Sequence, residues 1–305
     1  MNLPLRPSGA AVASADDTRD QANRESVSRW PAALALELQR TARGTRLLSR
    51  RHSGPLYVQR PFYPEGPDLA HVYLLHPPGG LVSGDELSFD IALGADAGAL
   101  LTTPGAARIY RAREDATWQR QRVHLDLEAG SSAEWLPMEN IVFPGAEARL
   151  DTRVDLAASS RFIGWEISCT GLPASGEQFA RGRLRQTFRL YREGRPLLME
   201  TLNLDMEDER LYYHRAGLAG CNVSGLMVAT LAGEADEDLL DSLRTPGQEQ
   251  PLHPVLSVTA IDTLLVLRYL GPCTHQARRL FEAAWRCLRP RILGRPASDP
   301  RIWRT

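Results

Sequence analysis

Five side chains carry the chemistry this sequence offers: His76, Asp85, Glu139, Glu166 and Glu177. Each lies beside a short apolar run, where a strand would hand over to a turn. Imidazole and carboxylate groups are ligands for borderline divalent cations. Spread along the chain, they suit a relay of weak ligands that passes a metal on without trapping it. Taken singly, each also fits a solvated loop charge or a satisfied turn residue. His76 opens the stretch His76-Pro77-Pro78-Gly79-Gly80-Leu81-Val82-Ser83-Gly84-Asp85. Its prolines stiffen the exit from one strand and its glycines allow a tight turn, which places Asp85 at the start of the next strand.

Other chemistries find little support. All 36 basic residues are arginine, so no phosphate-loop lysine, Schiff-base lysine or lysine general base exists. A self-sufficient P-loop nucleotidase is thereby excluded. Pro173-Ala174-Ser175-Gly176-Glu177 lacks the first glycine of a GxSxG elbow, and no HExxH occurs. Cys273 and His275 form an isolated pair ahead of a helix, not a ligand cluster. The glycines after His76 fail as a dinucleotide fingerprint because Asp85-Glu86 leads into a strand. Two competing readings stay open on the residues: a metal-dependent hydrolase using His76 and Asp85, and a β-helical glycan-binding protein. The second needs an exposed aromatic ladder, whereas Trp135 and Trp165 read as core.

The elements that must position these groups are mostly strands. Leu87–Leu93 and Val123–Leu127 alternate apolar and polar residues, as does the run from Ala35 to Leu38. The 24 glycines and 21 prolines are spread evenly, as many turns require. Segments beginning at Ile91, Leu125 and Val154 share one plan: a strand, a small-residue turn, and a bulkier strand. This loose repeat fits a solenoid-like body of stacked strand pairs, or equally a sandwich of similar hairpins. Helices are few. One is expected from Ala235 to Arg244. The other starts with Thr274 as N-cap, places Ala277, Leu280, Phe281, Ala284, Trp285 and Leu288 on one face, and stops at Pro290.

Bulk properties bound the setting. The chain has 305 residues, a net charge of -1 and four well-separated cysteines. Neither a nucleic-acid groove nor a membrane span is expected, and the cysteines suit a reducing cytosol. A cytoplasmic location follows as the default. Residues 1–28 read as a disordered polar tail, and 29–305 as a single β-rich domain.

Several blocks of the chain resemble one family. They are Gly54-Pro55-Leu56-Tyr57-Val58-Gln59-Arg60-Pro61-Phe62-Tyr63-Pro64-Glu65-Gly66, the His76–Asp85 stretch, and Leu101-Thr102-Thr103-Pro104-Gly105-Ala106-Ala107-Arg108-Ile109-Tyr110-Arg111. Trp135-Leu136-Pro137-Met138-Glu139-Asn140-Ile141-Val142-Phe143, Gly164-Trp165-Glu166-Ile167, the Pro173–Glu177 stretch and Pro300-Arg301-Ile302-Trp303 continue the series. In order and spacing, from about residue 30 to 305, they resemble the UreD (UreH) family of urease accessory proteins. Where that family usually carries Gln, this chain has Met138, which removes a polar group.

The resemblance implies a mainly β fold, a β-helix-like layered body of many short strands with a few helices, one of them amphipathic near the C-terminus. It implies a non-catalytic scaffold that binds UreF, through it the GTPase UreG, and apo-urease. It further implies nickel in transit through the body and no tightly bound cofactor. By matching motif positions, Asp85, Glu139, Glu166 and Glu177, with His76 beside the loop, become candidates for residues along that nickel path.

Overall fold

The computed structural model describes residues 29–248 and 255–304, so the expected polar tail lies outside the described residues. In chain order the strands are β1 (Trp30–Thr41), β2 (Gly44–Ser53), β3 (Tyr57–Val58), β4 (Leu69–Leu75), β5 (Asp85–Leu93) and β6 (Gly98–Thr102). Next come β7 (Ala107–Ile109), β8 (Gln119–Leu127), β9 (Ser132–Trp135), β10 (Asn140–Val142), β11 (Glu147–Leu156) and β12 (Arg161–Thr170). The last five are β13 (Arg183–Arg192), β14 (Arg195–Asp205), β15 (Val223–Thr230), β16 (Val255–Ile261) and β17 (Leu264–Gly271). The helices are α1 (Arg210–Tyr213), α2 (Glu237–Gln248) and α3 (Thr274–Leu293).

The strands form two facing sheets. One has the order β14-β13-β11-β8-β5-β1-β2, and the other β16-β17-β15-β12-β9-β6-β4-β3, with β10 beside β12 and β7. In the first sheet, β1, β5, β8, β11 and β13 run parallel, flanked by antiparallel β2 and β14. In the second, β4, β6, β9 and β12 run parallel, and β15, β17 and β16 continue antiparallel. The repeating segments are therefore successive coils, each crossing from one sheet to the other. This is the β-helix-like layered body, with open edges.

Stacked coils explain the small residues at the turns. Glu128 N–H donates to Leu93 O and Ala157 N–H to Leu127 O, so each turn sits one strand spacing above the last. Bulky side chains there would push the coils apart. Asp96, at the β5–β6 turn, has φ 57°, a left-handed conformation that Asp tolerates.

Burial follows the layers. Between the sheets lie Leu34, Ile91, Leu125, Val154 and Leu190, the inward members of the alternating runs. A second core lies between the β12-β15-β17 face and the helices α2 and α3, and includes Trp165, Leu267, Phe281 and Trp285. β12 is covered on both faces, which is why Phe162–Thr170 is buried throughout and shows no alternation. Trp135 and Trp165 are core, as expected.

Two details of α3 differ from the sequence reading. Thr274 is the first helical residue; the N-cap position is Cys273, which makes no side-chain capping bond. Pro290 sits inside the helix, which continues to Leu293 and ends on left-handed Gly294. A proline this close to the end forgoes a single intrahelical bond, and burial of Ile292 holds the last turn in place. The expected stripe from Ala277 to Leu288 is buried. No helix among the described residues is long and apolar enough to cross a membrane.

Candidate functional site

The gap between the sheets is not uniformly apolar. Most inward positions are Leu, Val, Ile or Phe, but a line of polar side chains interrupts them. Gln121 on β8, Thr152 on β11 and Gln186 on β13 come from one sheet, and Glu166 on β12 from the other. Each occupies an inward slot of the two-residue period: Gln186 lies between Leu184 and Phe188, and Gln121 next to Val123.

Glu166 is the centre of this line. It is 7% exposed, and both its oxygens accept hydrogen bonds from the opposite sheet. Thr152 Oγ1 donates to Oε1, and Gln186 Nε2 donates to Oε2 at 2.9 Å. Ser168 Oγ in turn donates to Gln186 Oε1 at 2.9 Å, which fixes the amide orientation. Burial pushes the Glu166 carboxyl above its ordinary value, and the bonds from Thr152 and Gln186 oppose that rise.

Three cavities run along the same line. A cavity of about 390 Å³ is lined by Glu166, Gln186, Phe188, Glu200, Leu226 and Arg268, among others. A narrow one of about 40 Å³ lies on the other side of Glu166, between Trp135, Met138, Asn140 and Gln121. A third, about 330 Å³, extends from Gln121, Phe89 and Thr103 to His76 and Gly80. Glu166 is a wall common to the first two. Leu74, Phe89, Thr103, Ala107 and Gln121 are common to the second and third. The result is a row of adjoining spaces from the His76 loop, past Glu166, to Arg268 and Glu200.

The His76 loop is stitched to its neighbours by backbone bonds. Leu81 N–H donates to Arg108 O at 2.7 Å, and Tyr110 N–H to Leu81 O at 2.9 Å. Gly84 has φ 90°, and its carbonyl accepts from Trp30 N–H at 2.9 Å, so the chain enters β5 at Asp85 as expected. Asp85 Oδ2 accepts from Val82 N–H at 2.8 Å and tightens the turn. His76 is half-buried in the third cavity. Burial lowers its pKa, with the nearby Asp85 charge pulling the other way.

The five residues singled out in the sequence therefore separate. Glu166 lies at the middle of the row of cavities, His76 at one mouth, and Asp85 beside His76. Glu139 lies off the cavity walls, near the Cys169 thiol, which burial and then the Glu139 charge push up to about 11. Glu177 is exposed after a 3-10 turn, where its backbone pairs with Leu172. Gln121, Thr152, Gln186, Glu200 and Arg268 were not singled out. Their signal is a polar residue in an inward slot of an otherwise aliphatic strand.

Met138 occupies a partly polar corner. Its backbone N–H donates to Thr103 Oγ1 at 2.9 Å, and its sulfur accepts from Arg278 Nη1 at 3.0 Å. The thioether thus serves as a weak acceptor next to the narrow cavity.

Chemically, the row offers one buried carboxylate, neutral amide and hydroxyl oxygens on either side of it, and an imidazole at one mouth. Groups of these kinds are ligands for divalent cations. Among the described residues, no group of three or more His, Cys, Asp or Glu is arranged to hold a metal ion.

Comparison with known proteins adds the biological context. Residues 31–304 match the family described as UreD urease accessory protein. A urease accessory protein UreD from a Marinomonas species is 44% identical over 286 residues, spanning 92% of this chain and 91% of that protein. The protein of the same name from Methylobacillus flagellatus is 39% identical over 290 residues, 95% of this chain and all of the other (100%). One from Alcanivorax borkumensis is 41% identical over 280 residues, 90% and 92% of the two chains.

Proposed function

The chain belongs to the UreD family of urease accessory proteins, and from that premise we propose that it is a non-catalytic scaffold that carries nickel through its own body to urease. A role in urease maturation follows from the family itself. The scaffold binds UreF, through it the GTPase UreG, and docks the assembly on apo-urease. Nickel is cargo here, not a resident cofactor. GTP hydrolysis falls to the partner, in keeping with a sequence that has no lysine for a phosphate loop.

One observation carries the passage: Glu166 is a shared wall of two adjoining cavities, in a line that runs on to His76. A dication leaving water needs compensating oxygen ligands at each step, and weak enough binding to leave again. Asn140, Gln121 and Thr103 offer neutral oxygens on the His76 side, and Glu166 supplies negative charge midway. Asp85 makes the His76 mouth acidic. Glu139 and Glu177 serve as outer approach residues.

Co-expression with the urease operon partners tests this. Glu166→Ala should cut the nickel content of the purified urease several-fold while UreF is still captured with the variant. Asp85→Ala and Glu139→Ala should give smaller losses. Normal nickel loading in Glu166→Ala would sink the passage. Failure of the unmodified chain to capture UreF would remove the scaffold reading itself.

A further inference from the structure

The 390 Å³ cavity ends between β14 and β17, and one ion pair spans that end. Arg268 on β17 donates through Nη2 to Glu200 Oε1 on β14. The two strands belong to different sheets and share no backbone ladder: β14 pairs with β13, and β17 with β15 and β16. The pair therefore bridges the sheets at the mouth of the cavity that both residues line. Its side chains are 40% and 33% exposed, so solvent reaches them.

Arg268 also shares a rung with the buried carboxylate. Across the second sheet the register runs Glu166, Leu226, Arg268, Ser257. Only Leu226 stands between Glu166 and Arg268, a separation of two strand spacings or about 10 Å at the backbone. A cation that moves from Glu166 toward this mouth meets the Arg268–Glu200 pair next.

We propose that Arg268 and Glu200 form a charge gate, which a dication opens by taking Glu200 away from Arg268. The proposal rests on the passage reading above. With the pair closed, a guanidinium lies across the path and opposes a second positive charge. Glu200 is the next anionic ligand after Glu166 along the row. A dication that reaches it brings twice the charge of Arg268, so the carboxylate exchanges partners and the guanidinium swings into solvent. A part-exposed ion pair is weak enough for that exchange. A monovalent cation offers no such advantage over the directed N–H bonds of arginine. The gate thus admits cargo by charge, and it closes again once the cargo has left.

The test uses the assembled accessory complex with apo-urease, supplied with nickel chloride. Nickel in re-isolated urease is followed over time by elemental analysis. Arg268→Gln removes the bar and should raise the initial loading rate at least about twofold, the scale of a part-exposed ion pair. Arg268→Met keeps a long apolar stem and should do the same. Glu200→Gln removes the receiving ligand and should slow loading. A purely structural pair would instead slow all three variants and lower their melting temperatures together, which overturns the gate. Wild-type rates in the Arg268 and Glu200 variants, with slow loading in Glu166→Ala, overturn the gate and leave the passage standing. A wild-type rate in Glu166→Ala removes both.

Discussion

Arg289 and Glu134 meet in full burial: the guanidinium Nε–H of α3 donates to the β9 carboxylate at 2.8 Å, and both side chains are 0% exposed. The same guanidinium reaches Glu65 at 2.7 Å, and Trp285 Nε1 donates to Glu134 at 2.6 Å. Burial pushes the Glu134 carboxyl up, and Arg289 opposes it. For Glu65, burial acts in the same direction but is outweighed by bonds from His71 and Arg289, which hold its carboxyl low. One arginine therefore fastens the last helix to two separate parts of the β body.

Removing that arginine leaves the fully buried Glu134 carboxylate without its cation, and Glu65 with His71 alone. Arg289→Met should destabilise the fold by about 3–5 kcal/mol, the usual cost of leaving a buried charge without its partner. Urea unfolding followed by circular dichroism measures it. A loss below about 1 kcal/mol would mean that the cluster is not what holds α3.

His124 gives a pH dependence of known sign. Its ring bonds to Asp155 Oδ2 at 2.9 Å and lies 3.8 Å from Asp90, and these carboxylates push its pKa up to about 9 from 6.5. A raised folded value means that the stabilisation is complete below pH 6.5 and is lost as pH rises through about 9. His124→Asn should flatten the decline in unfolding free energy across that window. Imidazole resonances of the native chain should titrate near the upper end of it. The partner carboxyl behaves oppositely. Burial would raise it, but the bonds from His124 and Arg153 hold Asp155 at about 2 against an ordinary 3.8. Its contribution is present above that ordinary value and fades as the pH falls toward 2.

Gly80 tests the His76 mouth. A Cβ there would come within 2.7 Å of Arg108 O and 2.5 Å of the Tyr110 ring. Gly80→Ala should cost about 1–3 kcal/mol through overpacking against backbone. It should also slow nickel loading, because Gly80 lines the third cavity. Thermal melting and the loading time course read the two effects separately.

Much of the architecture is visible in the sequence because its physics is local. The alternation of Leu87–Leu93 and Val123–Leu127 gives half-buried strands, and the stripe from Ala277 to Leu288 gives the helix face. The loose repeat leaves stacked coils and a sandwich equally open, and the family resemblance favours the coils that the sheets show. What escapes is whatever depends on distant pairing. Gln121 and Gln186 look like ordinary outward polar residues until the sheets are laid face to face. Glu166 stands out only as one carboxylate among several, because β12 is buried on both sides and offers no alternation to read. Arg268 and Glu200 lie 68 residues apart, on strands of different sheets, and no local pattern joins them. Pro290 misleads for the opposite reason: its local rule is sound, but tertiary burial of the final turn outweighs one missing bond.

The clamp at Arg289 also sets a timetable for synthesis. Glu65 and Arg289 are separated by 224 residues, and Glu134 and Arg289 by 155. While the β body is being made, Glu134 waits without its guanidinium and Glu65 has only His71 beside it. Their partner emerges only with the final turns of α3. Until then Glu134 cannot be shut away from water at a tolerable cost, so the nascent chain must stay open around it. Closure of the body around Glu134 is thus tied to synthesis of α3. A chain truncated before Arg289 would leave Glu134 without its cation.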